Sequence, residues 1–163
     1  MKKLNTKLLL ALSLVGLAQS SMAGTANGNF QATATLNSSC VVTATNVAFG
    51  TITPAATGDA TATGTVTSRC SKDVAYSLSI NGGTGSITAR TMAGTSGNTD
   101  KLNYNLYTDA GATQVWGDGT TGAKVSLTGT GATQNSTVYG KLSLNQYIKP
   151  DTYTDNLTVT LSY

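Results

Sequence analysis

The 163-residue chain is 39% hydrophobic and only 10% charged, with two cysteines, eighteen glycines and no histidine. That length suits one domain with a real core rather than two, and low net charge with regularly recurring apolar residues argues against disorder. Histidine and glutamate are both absent, which removes the ordinary Ser-His and Cys-His nucleophile pairs, and no phosphate loop or dinucleotide fingerprint takes their place.

Residues 1–23 read as a secretory leader: Lys2, Lys3 and Lys7, then the apolar run Leu8–Ala18, then Ser21-Met22-Ala23. The run is about eleven residues, too short to span a bilayer as a helix. The mature chain starts near Gly24. Losing three lysines and no acid takes the formal charge from +3 to zero, with seven basic residues against seven Asp. Nothing basic is left to attract nucleic acid or an anionic membrane. Export also interprets Cys40 and Cys70, an even count in an oxidising compartment, as a disulfide. Closing that loop of about thirty residues stabilises by roughly 3–4 kcal/mol in the chain-entropy model. A metal or catalytic thiol pair is disfavoured, because such sites want close spacing and His partners.

Period-2 alternation then runs through the mature part. Phe30, Ala32, Ala34 and Leu36 share one face, with Gln31, Thr33 and Thr35 on the other. The same pattern sets Val74, Tyr76, Leu78 and Ile80 on one face, and likewise Leu102, Tyr104 and Leu106. It returns at Val138, Gly140, Leu142 and Leu144, and most clearly at Leu157, Val159, Leu161 and Tyr163. Each predicts a half-buried strand. Turn chemistry separates them at Asn81-Gly82-Gly83, Ser96-Gly97-Asn98, Asp118-Gly119, Gly129-Thr130-Gly131 and Pro150-Asp151. Ala55–Gly64, rich in Ala, Thr and Gly, reads as a surface loop or an edge strand. No mature segment has a 3.6-residue period, so the expected fold is an all-β antiparallel sandwich.

Candidate sites are few. Asp109 and Asp118 invite a calcium reading, but the EF-hand spacing and its closing Glu are missing, so they read as turn acids. Tyr76 and Tyr104 belong to apolar strand faces and hence to the core. Trp116, Tyr107 and Tyr147 stay open between packing and stacking on a sugar. Arg69, Arg90, Lys101, Lys124, Lys141 and Lys149 are scattered and read as single surface charges. No catalytic site, metal site or cofactor emerges. The two terminal strands either pair within their own domain or add to a neighbour's sheet.

The segments Leu102–Ala110, Val115–Thr120, Val138–Leu142 and Thr152–Tyr163, with Cys40, Phe49-Gly50, Cys70 and Arg90-Thr91-Met92 in order upstream, carry a resemblance. Together they resemble the spore coat protein U domain family, which includes subunits of archaic chaperone–usher pili. Asp151 departs from the pattern, which has Gly there. The resemblance implies an incomplete immunoglobulin-like antiparallel β-sandwich, lacking its last strand and completed by a donor strand from another subunit. It divides the chain into a leader (1–23), a donor segment (24–36) and a pilin domain (37–163). Phe30, Ala32, Ala34 and Leu36 are then the donor side chains. Leu157, Val159, Leu161 and Tyr163 form the acceptor wall, where a periplasmic chaperone also grips. The implied partners are that chaperone, an outer-membrane usher and other pilin subunits, in a homo- or hetero-polymer at the cell surface that supports adhesion and biofilm formation. The length leaves no room for a second, receptor-binding domain and so favours shaft over tip. A non-pilus coat protein of the same family and a secreted carbohydrate-binding module are the alternatives.

Overall fold

The computed structural model describes residues 22–54, 57–95 and 97–163, so the expected leader lies outside the described residues apart from Met22 and Ala23. Residues 22–35 belong to a unit of their own, without helix or strand, and every one of them is exposed. The strand expected over Phe30–Leu36 is not formed within this chain, and Phe30 and Leu36 are 94% and 93% exposed. A strand needs a neighbour to take its backbone hydrogen bonds. No strand pairing among the described residues involves this segment.

Among its described residues the second unit, Leu36–Tyr163, carries nine strands: β1 (Cys40–Ala44), β2 (Asp59–Cys70), β3 (Ala75–Ile80), β4 (Arg90–Gly94), β5 (Lys101–Tyr107), β6 (Val125–Thr128), β7 (Gln134–Ser143), β8 (Tyr153–Thr154) and β9 (Val159–Ser162). They form a six-stranded sheet ordered β1-β2-β7-β5-β4-β8 and a three-stranded sheet ordered β6-β3-β9. Every named pairing is antiparallel. The architecture is an immunoglobulin-like sandwich. One core joins the sheets: Val66, Leu102, Tyr104, Leu106, Val138 and Leu142 from the larger meet Tyr76, Leu78 and Ile80 from the smaller. The alternation seen at β3, β5, β7 and β9 is what turns one face of each strand inward.

From Asp59 onward Ala55–Gly64 is an edge strand, one of the two readings its sequence left open. This first half of β2 pairs with β7 alone, because β1 reaches only Val66–Cys70; Ala55 and Ala56 lie outside the described residues. The half-buried Ala60 and Ala62 and the buried Gly64 lead into Val66, Ser68 and Cys70 on the same face. These residues are small because segment 45–52 lies across them. A Cβ on Gly64 would stand 2.8 Å from Val47, and one on Gly140 in β7 would stand 2.6 Å from Val47 and 2.8 Å from Phe49. Phe49 in turn sits edge-on to Tyr104, with ring centroids 6.1 Å apart. Cys40 and Cys70 are disulfide-bonded, with Cα atoms 4.1 Å apart, which fastens the first residue of β1 to the last of β2.

Candidate strand-acceptor site

β9 is hydrogen-bonded on one edge only. It pairs with β3 through Ser77↔Ser162, Leu78↔Leu161, Ser79↔Thr160 and Ile80↔Val159, and among the described residues nothing pairs with its other edge. Cα atoms of β1 come within 8 Å of those of β9, yet no ladder joins the two. The consequence shows in burial. Tyr76, Leu78 and Ile80 on β3 are fully buried, whereas Leu157, Val159 and Leu161, pointing at the same core, are only half-buried. An edge of unpaired N–H and C=O groups beside half-covered apolar side chains is a template for another strand. Tyr163 follows the same alternation but lies past the end of β9 and is 63% exposed.

Two contacts hold β9 in place. Asn81 donates its backbone N–H to the Thr158 carbonyl at 3.2 Å, and its side-chain oxygen accepts from the Thr158 N–H at 3.0 Å. Just upstream, the Asp155 carboxylate accepts from the Thr84 N–H at 2.9 Å and from the Tyr104 hydroxyl at 2.7 Å. Gly83, at φ 61°, makes that seat possible, since a Cβ there would collide with the carboxylate. Burial, then the hydrogen bond to Asp155, pushes the Tyr104 hydroxyl's pKa up.

Beside Tyr104 lies a residue that sequence reasoning misplaced. Arg90 is not a surface charge; it is fully buried. Its guanidinium donates to the carbonyls of Asn81 (3.0 and 2.8 Å), Ile87 (3.0 Å), Ile80 (3.2 Å) and Trp116 (2.7 Å), and to Asn105 Oδ1 (2.6 Å). Burial lowers its pKa, opposed by the nearby Tyr104 and Asp155, but a guanidinium stays protonated in proteins. The charge thus ties the Ile80–Asn81 end of β3, and through Asn81 the base of β9, to β4, β5 and the Trp116 backbone in the β5–β6 connection.

Trp116 is also fully buried, its indole N–H donating to the Leu78 carbonyl at 3.1 Å. It is core, so a sugar site built on Trp116 is excluded. Tyr147 is 77% exposed in the β7–β8 connection, and Tyr107 lies half-buried on the outer face of β5. Asp109 and Asp118 serve their own turns. Asp109 accepts from the Gln114 and Thr113 N–H groups and Asp118 from those of Thr121 and Thr120, which lowers both pKa values.

A groove of about 590 Å3 opens over Met92, Leu102 and Leu142, with Val47, Phe49 and Ile52 on one side and residues 146–153 on the other. Asp151, which departs from the family pattern, clasps its rim. The carboxylate accepts from Thr95 Oγ1 (2.5 Å), the Thr95 N–H (2.9 Å) and Asn98 Nδ2 (2.8 Å). These bonds, Thr95 first and Asn98 next, hold its pKa at about 2. A depressed carboxylate contributes stability above its unfolded pKa of about 3.9 and loses it as pH falls toward the folded value. Stability measured by urea unfolding is therefore expected to fall between about pH 4 and pH 2, and to fall less steeply in Asp151→Asn, by up to one proton's worth of slope. An unchanged slope would show that the clasp does not persist in solution.

The fold is shared with a solved structure, the CsuC-CsuE chaperone–tip adhesion subunit pre-assembly complex from archaic chaperone-usher Csu pili of Acinetobacter baumannii. The match has a TM-score of 0.57 and 23% identity, and covers 79% of this chain and 40% of that one. The chain thus spans less than half the length of the protein it matches. Among curated proteins none matches the sequence. The Spore Coat Protein U domain family matches residues 26–160. The chain belongs to the Spore Coat Protein U domain family.

Proposed function

We propose that this protein is a structural subunit of a surface pilus assembled by the chaperone–usher pathway, with a structural rather than a catalytic task. One observation carries the reading: β9 presents an unpaired edge beside half-buried apolar side chains, and the chain has an alternating segment, Phe30–Leu36, without a ladder among the described residues. An edge lined by half-buried Leu157, Val159 and Leu161 is an aggregation hazard if left open. A periplasmic chaperone covers it after export, and an outer-membrane usher exchanges that cover for the N-terminal segment of the next subunit. Residues 24–36 then act as the donor, with Phe30, Ala32, Ala34 and Leu36 entering and Gln31, Thr33 and Thr35 facing solvent. Tyr163 marks the end at which the chaperone grips. The shared fold with a subunit structure from a chaperone-usher pilus supports this assignment. The fibre runs from periplasm to cell surface, where it supports adhesion and biofilm formation.

Exchange couples insertion to completing the core, so dissociation is slow and the polymer is held kinetically. Material from cells is expected to run on an unboiled denaturing gel as a ladder that collapses to monomer on boiling. A lone monomer band without boiling would overturn the proposal. The family's name favours a second reading, a coat protein that uses the same exchange. Electron microscopy of the cell surface separates the two as thin filaments against a continuous layer.

A further inference from the structure

We propose that a cleft on the outer face of the six-stranded sheet binds a neutral saccharide. The cleft has a volume of about 340 Å3 and lies over β2, β7 and β5, on the side of the sheet away from the core. Ligand sites run from about 300 to 1,000 Å3, so this one suits one or two sugar rings.

Register builds its floor. Tyr139 stands directly opposite Tyr107 on β5 and Thr63 on β2, and the next outward position on β7, Lys141, stands opposite Thr61. Directly opposed side chains have Cβ atoms about 4.5–5.5 Å apart, so the two tyrosines share one aromatic patch. Both are half-buried, their rings partly seated and their outer surfaces open. At the other end Lys141 Nζ meets Asp59 Oδ2 at 2.9 Å, with both side chains still substantially exposed.

The wall is the β5–β6 connection, where Ala110, Gly111 and Ala112 line the cleft. It is stiff. The Asp109 carboxylate accepts from the Thr113 N–H, the Gln114 N–H and the Thr113 hydroxyl. The Thr108 N–H donates to the Gln114 carbonyl at 3.0 Å, closing the loop at its base. Ala112 sits at φ 52°, a left-handed conformation that costs a residue with a Cβ and persists where surroundings hold it. A preformed wall removes the ordering cost that weakens binding to mobile loops.

The chemistry selects the ligand class. One cation and one anion face the cleft, so their charges cancel and neither an anionic nor a cationic ligand is favoured. Pyranose rings offer C–H faces to the tyrosines, and vicinal hydroxyls match an adjacent ammonium donor and carboxylate acceptor. The Thr61 and Thr63 hydroxyls add uncharged partners. None of these residues belongs to β9 or to residues 24–36, so the cleft uses no side chain of the proposed assembly machinery.

Saturation-transfer NMR on the mature protein, in the assembly state in which it is recovered, tests this with the methyl glycosides of mannose, glucose, galactose and N-acetylglucosamine at about millimolar concentration, where weak sites fill. At least one glycoside is expected to receive saturation. Tyr139→Ala and Lys141→Met are each expected to weaken it about tenfold, and Tyr147→Ala, outside the cleft, to leave it unchanged. Absence of transfer to all four overturns the proposal, as does transfer undiminished in both cleft variants. Binding confined to an anionic sugar such as sialic acid, and abolished by salt, overturns the ligand class. If Tyr139→Ala does not fold, Lys141→Met at its exposed position decides the matter. The gel ladder is read separately, so failure here leaves the assembly proposal standing.

Discussion

Ala32→Asp and Ala34→Asp are each expected to abolish the boiling-sensitive ladder, while Gln31→Asp and Thr33→Asp leave it intact. The contrast follows from the period of two along a strand: a one-residue slip sends every side chain to the opposite face. In the proposed exchange, burying the exposed Phe30 and Leu36 against a neighbour's core gains about 1.5–3 kcal/mol each, with less from Ala32 and Ala34. Main-chain pairing along the free edge of β9 adds a net ~0.5–1.5 kcal/mol per hydrogen bond. An unpaired carboxylate in that position costs several kcal/mol in desolvation, enough to cancel the side-chain gain. The same group at residue 31 or 33 stays in water and costs little. The measurement is the ladder on an unboiled gel, with the chaperone-bound monomer as evidence that the variant still folds. Sensitivity at residues 31 and 33 in place of 32 and 34 would mean that the other face inserts. Insensitivity at all four would remove the segment from assembly.

Arg90→Ala is expected to destabilise the domain by about 3–5 kcal/mol, the range for breaking a buried, fully hydrogen-bonded charge. The guanidinium is the shared donor for carbonyls at Ile80, Asn81, Ile87 and Trp116 and for Asn105. Removing it takes the donor from all five acceptors, those at Ile80, Asn105 and Trp116 in the buried interior, and leaves a cavity as well. Domains of this size have about 5–15 kcal/mol of stability in all, so the loss is a large share. Arg90→Lys is expected to recover little, because three donors on a point charge cannot reproduce a planar fork. Tyr104→Phe gives the scale. It removes one hydrogen bond to Asp155 and should cost about 1 kcal/mol. Urea unfolding of the mature protein ranks the three variants. An Arg90→Ala loss no larger than that of Tyr104→Phe would mean the carbonyls find water instead.

Alternation of apolar residues with Ser, Thr or Asn revealed β3, β5 and β7, while the equally regular Phe30–Leu36 has no ladder among the described residues. The first half of β2 read ambiguously, as loop or edge strand, because its inward residues Ala60, Ala62 and Gly64 are small, which lets Val47 and Phe49 lie close. Small residues carry little hydropathy signal. β1, β4, β6 and β8 are two to five residues long, too short for a period to register. Arg90 was unreadable for a different reason. Its partners are mostly backbone carbonyls brought together by tertiary folding, and carbonyls have no identity in a sequence. The acceptor edge was partly legible, since Leu157, Val159 and Leu161 announce an inward face. That the opposite edge of β9 lacks a neighbour is a property of topology, which alternation cannot express. Asp155 and Asn81, which seat that strand, look like ordinary turn residues until the structure places them under it.

The cystine between Cys40 and Cys70 has a mechanical consequence. Tension applied to the residues ahead of Cys40 passes through the sulfur bridge straight to the end of β2, a strand flanked on both sides. The β1–β2 hydrogen bonds never stand alone against that pull. The stretch enclosed between the two half-cystines, on the order of 100 Å when fully drawn out at about 3.3–3.6 Å per residue, stays locked as hidden length. In the proposed filament each subunit keeps that slack locked behind a covalent bond, while the joints between subunits rest on strand insertion alone, and the slack is released only where the environment turns reducing.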